Sequence, residues 1–168
     1  PHKRTVMANR KKHQITVTAR PQYVAEQSAP DTARYVFAYT ITLENVGTVA
    51  AQLISRHWLI TDGNAKVQEV RGLGVVGEQP VLQPGETYEY TSGCQLDTPV
   101  GIMHGSYQMM AEDGTTFEAE IPAFTLTIPR VLQPSSAFSS PLVSASNVLG
   151  PLKINWKRHS SPPVRASS

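Results

Sequence analysis

A run of glycines near the middle of the chain has a spacing that is used to bind phosphate groups. Gly72, Gly74 and Gly77 form a G-x-G-x-x-G motif directly after Arg71. In dinucleotide-binding folds this motif joins a strand to a helix, and the helix N-terminus holds the pyrophosphate. Residues 66–71 can form the strand, but the prolines and glycine of residues 78–85 exclude the helix. The motif therefore predicts either an anion-binding loop with open N–H groups beside Arg71, or a plain connection between strands.

A second candidate is the polar and aromatic segment at residues 55–58. Because side chains alternate along a strand, Arg56 and Trp58 should share one face, opposite to that of their two neighbours. A guanidinium next to an indole suits an anionic or planar ligand, or contact with a protein. We expect Trp58 in the core with Arg56 at its rim, and we keep Arg56 as a binding candidate.

Residues suited to catalysis or metal binding are sparse. Cys94 could pair with His57 or His104, but nothing in their spacing specifies a catalytic pair, and a small buried thiol is the commoner role. The sequence contains neither a G-x-S-x-G motif nor a histidine spacing typical of zinc sites. We therefore predict a protein without catalytic residues, metal site or cofactor.

Strands must position these residues, because residues 15–128 repeat with a period of two. From Tyr35 to Leu43, large apolar side chains alternate with smaller or polar ones, as in a strand with one buried face. Turn-forming residues such as Asp113-Gly114 separate the apolar segments. We predict strands over residues 15–24, 35–43, 49–60, 66–71, 87–92, 102–110 and 116–128, and no helix of ten residues.

Seven to eight short strands predict an all-β fold, a fibronectin type III or immunoglobulin-like antiparallel β-sandwich. The turn at Pro84-Gly85, followed by Tyr88, favours a sandwich over a barrel. A buried tyrosine whose hydroxyl bonds to the corner backbone fixes how the chain crosses between sheets. The Cys-Trp-Cys pattern of antibody domains is absent, since Cys94 is the single cysteine.

The charges divide the 168 residues into three parts. All 13 carboxylates lie between residues 26 and 120, and six basic side chains accompany them in residues 15–130, which gives that body a net charge of −7. Residues 1–14 hold five basic side chains and residues 131–168 hold four, without any acid. We predict a β-sandwich domain over residues 15–130, a disordered basic extension at 1–14, and a disordered or vector-derived Ser/Pro-rich basic tail at 131–168.

The composition also limits the compartment and the partners. No segment approaches the ~20 apolar residues of a membrane-spanning helix, and the N-terminus shows no secretory signal. One free thiol predicts a cytoplasmic protein. Because the body is acidic, we do not expect it to bind nucleic acid. Binding of nucleic acid by the two basic ends stays open.

Several runs of residues together resemble the ApaG family. One is Tyr90-Thr91-Ser92-Gly93-Cys94, and the others lie at 26–28, 35–41, 55–58, 60–62, 67–80, 99–101, 105–109 and 121–124. The resemblance covers about residues 15–130 and implies a fibronectin type III-like domain, in agreement with the strand pattern. It also implies a binding role, because similar domains occur alone in bacteria and as modules of eukaryotic F-box and polymerase-δ-interacting proteins.

The residues and the resemblance together leave two main functions open, with an enzyme that uses Cys94 or a bound metal as a third and disfavoured alternative. The first is a non-enzymatic domain that presents a β-sheet face or edge to an unknown protein partner, as a monomer or a homodimer. The family has been linked to cobalt resistance and magnesium efflux. Its bacterial gene commonly neighbours one for diadenosine tetraphosphate hydrolysis. The second function is the binding of pyrophosphate or of a nucleotide such as diadenosine tetraphosphate. The resemblance implies that the glycine motif at Gly72, Gly74 and Gly77 would form this site, with Arg71 and Arg56 as its charged residues.

Overall fold

Eight strands make up most of residues 11–129, the part of the chain that the computed structural model describes. They are β1 (Ile15–Tyr23), β2 (Tyr35–Asn45), β3 (Ala51–Asp62), β4 (Val67–Leu73), β5 (Val81–Leu82), β6 (Thr87–Leu96), β7 (Val100–Ala111) and β8 (Thr116–Thr127). Two 3-10 helices, Ala25–Gln27 and Pro30–Thr32, lie between β1 and β2. No helix within residues 11–129 has the length and apolar character to cross a membrane. The predictions for residues 1–10 and 130–168 lie outside the described residues.

The strands form two antiparallel sheets that pack face to face. One sheet has the order β1-β2-β6, and the other has the order β4-β3-β7-β8 with β5 paired to β3. The predicted all-β sandwich is confirmed. Each predicted strand is present, with ends that shift by a few residues. The largest shift is in β6, which continues to Leu96 because its last residues pair with the start of β2, where Tyr35 lies opposite Leu96.

The core lies between the sheets and consists of the inward-facing residues of both. On β2, the alternation in the sequence buries Phe37, Tyr39, Ile41 and Leu43. Trp58 from β3 is 2% exposed, and its ring lies 5.3 Å from that of Tyr39. The expectation that Trp58 belongs to the core is therefore confirmed. Apolar burial on this scale is the main stabilising contribution to such a sandwich.

The corner before β6 differs in detail from the prediction. Tyr88 is buried as expected, but its hydroxyl donates to Glu78 Oε2 at 3.2 Å and not to the corner backbone. Buried Asn45 satisfies the backbone instead, since its Nδ2 donates to the carbonyls of Val49 and Leu82 at 2.9 Å each. Its Oδ1 accepts the Gly47 N–H at 2.9 Å. An amide suits this place because it carries both donors and an acceptor, whereas a hydroxyl has one donor.

Candidate functional site

A cavity of about 470 Å³ opens between the two sheets, on the side where β4 and β6 are edge strands. This volume falls in the ~300–1,000 Å³ range of small-molecule sites. Strands β2 and β6 line it with Tyr39, Tyr90 and Ser92, and β3 lines it with Arg56 and Trp58. The third wall consists of Leu73 at the end of β4 and residues 75–77 of the loop that follows it. The cavity therefore brings Arg56 and the glycine motif together.

Arg56 is held in this cavity by the backbone. Its Nη1 donates to the carbonyls of Leu73 at 3.0 Å and Gly74 at 2.8 Å. Gly72 lies opposite Arg56 in the β3–β4 pairing, and a Cβ there would lie 2.8 Å from the guanidinium carbon. Gly72 thus makes room for the side chain. Arg56 forms no ion pair with a carboxylate of residues 11–129, so its charge is not neutralised by an acid in this part of the chain.

The hydroxyl groups that share the cavity with the guanidinium stay neutral. Burial raises the pKa of Tyr39, although a hydrogen bond to Ser92, its cross-strand partner, opposes that shift. Burial also raises the pKa of Tyr90 and of Tyr107, whose hydroxyls are hydrogen-bonded to each other. The positive charge of Arg56 lowers the pKa of all three tyrosines, but this effect is weaker than that of burial. Near neutral pH the cavity therefore combines one fixed cation with uncharged hydroxyls.

The glycine motif folds into a tight turn that uses most of its own donors. Gly74 donates its N–H to the Ile54 carbonyl at 2.8 Å, and Val75 and Glu78 exchange N–H···O bonds of 2.8 and 2.9 Å. The two central residues, Val76 and Gly77, have φ of +46° and +78°, as a two-residue hairpin turn requires. The carbonyls of Leu73 and Gly74 face Arg56. Only the N–H groups of Val76 and Gly77 remain for a ligand at this turn.

Arg71 lies on the opposite face of the sheet from Arg56. It pairs with His57 in the β3–β4 register, and its Nε and Nη2 both donate to Glu69 Oε1 at 2.9 Å. His57 Nε2 lies 2.9 Å from the same oxygen. Arg71, followed by His57, lowers the pKa of Glu69. The structure therefore separates the two arginines that the sequence assigned to one anion site, with Arg56 in the cavity and Arg71 on the outer face.

Strand β4 leaves one backbone edge open beside the cavity. All seven residues of β4 are exposed or half-buried, and Val67 and Leu73 are 57% and 74% exposed. Gly74 donates to Ile54 of β3. Since N–H groups alternate along a strand, those of Gly72 and Val70 point to β3, and those of Arg71 and Glu69 point to the open side. An open edge of this kind can pair with another strand.

Cys94 is kept apart from the two histidines that the sequence offered as its partners. Burial raises the pKa of the Cys94 thiol to about 12, and its Sγ lies 3.9 Å from Met103 Sδ. Such a thiol is not activated. His57 and His104 line a hollow on the outer face of the larger sheet. No three His, Cys, Asp or Glu side chains in residues 11–129 are grouped to hold a metal ion.

Three cavity residues escaped the sequence analysis, namely Tyr39, Tyr90 and Ser92. The alternation placed Tyr39 on a buried face, but without the β2–β6 register it could not bring Ser92 opposite it. One signal could have identified them, namely hydroxyl groups at inward-facing positions of the strands. Polar groups are uncommon on the buried face of a strand, because burying them without a hydrogen bond costs free energy.

Known proteins resemble this chain over most of its length. A family model described as the ApaG domain (DUF525) matches residues 25–111. Protein ApaG of Thiobacillus denitrificans is 70% identical over 126 residues, which are 75% of this chain and 99% of that protein. Protein ApaG of Dechloromonas aromatica is 63% identical over the same shares. A crystal structure of an ApaA protein from Bordetella pertussis superposes with a TM-score of 0.71 at 56% identity, covering 73% of this chain and 99% of that one.

Proposed function

The chain belongs to the ApaG family, and we propose that it is a non-enzymatic binding domain whose protein partner adds a strand to the open edge of β4. The exposure of β4 carries this proposal. Val67 and Leu73 stand out of the surface at the two ends of the strand, and β4 contains no proline that would block pairing.

Strand addition suits this edge for two reasons. Main-chain hydrogen bonds to a partner strand would supply affinity, and the exposed apolar side chains would supply contact area. The other side of the sandwich is less open, because β1 packs against β8 there. A partner of this kind needs no catalytic residue, cofactor or metal ion. The cytoplasmic location and the links to cobalt resistance and magnesium efflux stay predictions.

A photo-cross-linking amino acid at Leu73 tests the proposal in cells. The matched control is the same group at Thr125, an exposed position on β8. We expect a defined cross-linked product from position 73 and none from position 125.

A proline variant then asks whether backbone pairing is responsible. Arg71→Pro removes an N–H that points away from β3, whereas Arg71→Ala removes the side chain and keeps that N–H. The product should disappear in Arg71→Pro and persist in Arg71→Ala, with both variants folded by circular dichroism. Equal cross-linking from both positions, or a product that survives the proline, would refute strand addition.

A second candidate function is the binding of pyrophosphate or a nucleotide such as diadenosine tetraphosphate in the cavity. The observation that favours it is the unneutralised Arg56 guanidinium beside the turn at Gly74 and Gly77. Arg71 contributes to this candidate only from the outer face. Titration with pyrophosphate, followed by amide NMR shifts, should perturb residues 73–77 in the full chain and in Arg71→Gln, but not in Arg56→Gln. The basic ends are the same in all three samples, so loss in Arg56→Gln alone excludes nonspecific binding to them.

A further inference from the structure

We infer that the cavity binds a small amphipathic monoanion, with one carboxylate or similar oxyanion on an aromatic or branched apolar body, in preference to a polyphosphate. This inference rests on the second candidate for the anion site at Arg56, and it replaces the polyphosphate ligand of that candidate with a monoanion. It draws on the number of charges, the available donors and the walls of the cavity.

The cavity contains one positive charge. Arg56 is the only Lys, Arg or His among the described residues that line it. Arg71 is on the other face and is paired with Glu69. A polyphosphate brings several negative charges, and leaving most of them unpaired beside aromatic walls costs free energy. One guanidinium balances one oxyanion.

The donors available in the cavity also match a single oxyanion. The Nε and Nη2 groups of Arg56 have no hydrogen-bond partner in residues 11–129, while Nη1 is committed to the loop carbonyls. The hydroxyls of Tyr39 and Ser92 line the same space and stay neutral. Most N–H groups of the glycine turn are bonded within the protein. A carboxylate, with two oxygens, fits this supply better than a pyrophosphate, which needs a cradle of N–H groups or several cations.

The remaining walls are apolar and call for an apolar body on the ligand. Trp58, Tyr90, Val75 and Val76 form them. The bonds of Arg56 to Leu73 and Gly74 hold the guanidinium in place before a ligand arrives, which lowers the entropic cost of binding. The cavity therefore offers a preset cation at one end of an aromatic cleft.

Phenylacetate, its neutral isostere phenylacetamide, and pyrophosphate form a set of probes for this inference. Each is titrated into the full chain, with amide NMR shifts as the readout. We expect phenylacetate to give saturable shifts at Val75, Val76 and Ser92, and none at Glu118 and Glu120 on the outer face. Phenylacetamide should bind about tenfold to hundredfold more weakly, as should phenylacetate to Arg56→Gln, because each change removes a charge-assisted hydrogen bond. Arg71→Gln, the matched control, should bind phenylacetate like the unmodified chain.

A second variant guards against loss of the loop structure in Arg56→Gln. Ser92→Leu keeps Arg56 and fills the cavity, so phenylacetate binding should be lost while the amide spectrum of the outer face is retained. Shifts from pyrophosphate with none from phenylacetate would overturn the inference and leave the second candidate standing. The absence of shifts from both would overturn both. If phenylacetate causes the same amide shifts in Arg56→Gln as in the unmodified chain, its binding does not depend on Arg56. Phenylacetate would then be an adventitious additive only, and the inference would be overturned.

Discussion

The two sides of the sandwich, where the edges of the sheets meet, are built differently. On one side β1 packs against β8, and Asp113 in the β7–β8 turn lies 2.9 Å from Lys12 Nζ and 3.0 Å from His13 Nε2. On the other side β4 and β6 stand apart, and the cavity with Arg56 lies between them. One side thus covers its edges, whereas the other keeps both a strand edge and a cation accessible. This difference agrees with our proposal, in which the open side binds the partner and the closed side contributes stability.

The open side also contains a strained backbone conformation. Val76, at the cavity, adopts φ +46°, which is rare for a β-branched residue. The Val75–Glu78 bonds and the burial of Val75, which is 1% exposed, hold it there. Strain of this kind costs of order 1–3 kcal/mol and persists where the surroundings impose it, often at binding sites. The open side therefore gives up some stability for its shape.

The largest expected effect concerns Cys94, on strand β6 at the border of the open side. Burial raises its pKa to about 12, while an unfolded thiol has a pKa of ~8.5. At pH 8 we expect a disulfide reagent to label the native protein about 10³-fold more slowly than the urea-unfolded chain. Because folding retains this proton, the resulting contribution to stability is complete below pH ~8.5 and is lost as the pH rises towards 12.

Cys94 is the single cysteine, so the labelling signal has one source. If the native protein is labelled almost as fast as the unfolded chain, the reagent reaches the Cys94 thiol on β6 through the cavity. The open side would then be more accessible to solvent than the structure shows.

The next effect compares two glycines with positive φ, Gly74 at the cavity and Gly114 in the β7–β8 turn. A Cβ on Gly74 would collide with the Glu78 carbonyl, whereas one on Gly114 meets nothing within 4 Å. We expect Gly74→Ala to lose about 3 kcal/mol of unfolding free energy and Gly114→Ala about 1 kcal/mol, measured by urea denaturation. Equal losses of unfolding free energy would mean that the loop at Gly74 moves to accommodate the added Cβ. The loop would then not be a rigid wall of the cavity.

Tyr107→Phe tests the hydrogen bond between Tyr107 and Tyr90, a residue that lines the cavity. The change leaves the Tyr90 hydroxyl without its partner, and the expected loss is about 2 kcal/mol by urea denaturation. Tyr90→Phe/Tyr107→Phe should recover part of that loss, because no buried hydroxyl is then left unpaired. A loss well below 1 kcal/mol in the single variant would show that water reaches Tyr90 through the cavity, which would sharpen the contrast with the closed side.

The smallest effect is a gain. Val76→Asn should raise the melting temperature and stabilise the protein by about 1 kcal/mol, because asparagine tolerates the left-handed backbone conformation better than valine does. Ala33→Asn is the control, since Ala33 has φ +54° but no branched side chain and should gain less. A loss of stability in Val76→Asn would show that the valine side chain contributes packing that outweighs its strain.

The candidate site could be predicted in part. The sequence brought out Arg56 and the glycine motif, because residue type and spacing mark them without knowledge of the fold. It also grouped Arg71 with Arg56, and the structure places them on opposite faces. The β3–β4 register decides this, since Arg56 lies opposite Gly72 and not opposite Arg71. A register shifted by one residue would reverse the relation.

Local pattern alone determined the sandwich and seven of its eight strands, because side-chain alternation and turn residues act over a few neighbouring positions. The two-residue strand β5 was not predicted. Pairing between distant strands decided the rest. It set Ser92 opposite Tyr39, brought the Leu82 carbonyl to Asn45, and turned the carbonyls of Leu73 and Gly74 towards Arg56. These contacts join residues that are 17 to 53 positions apart, and only the packing of two complete sheets fixes their geometry.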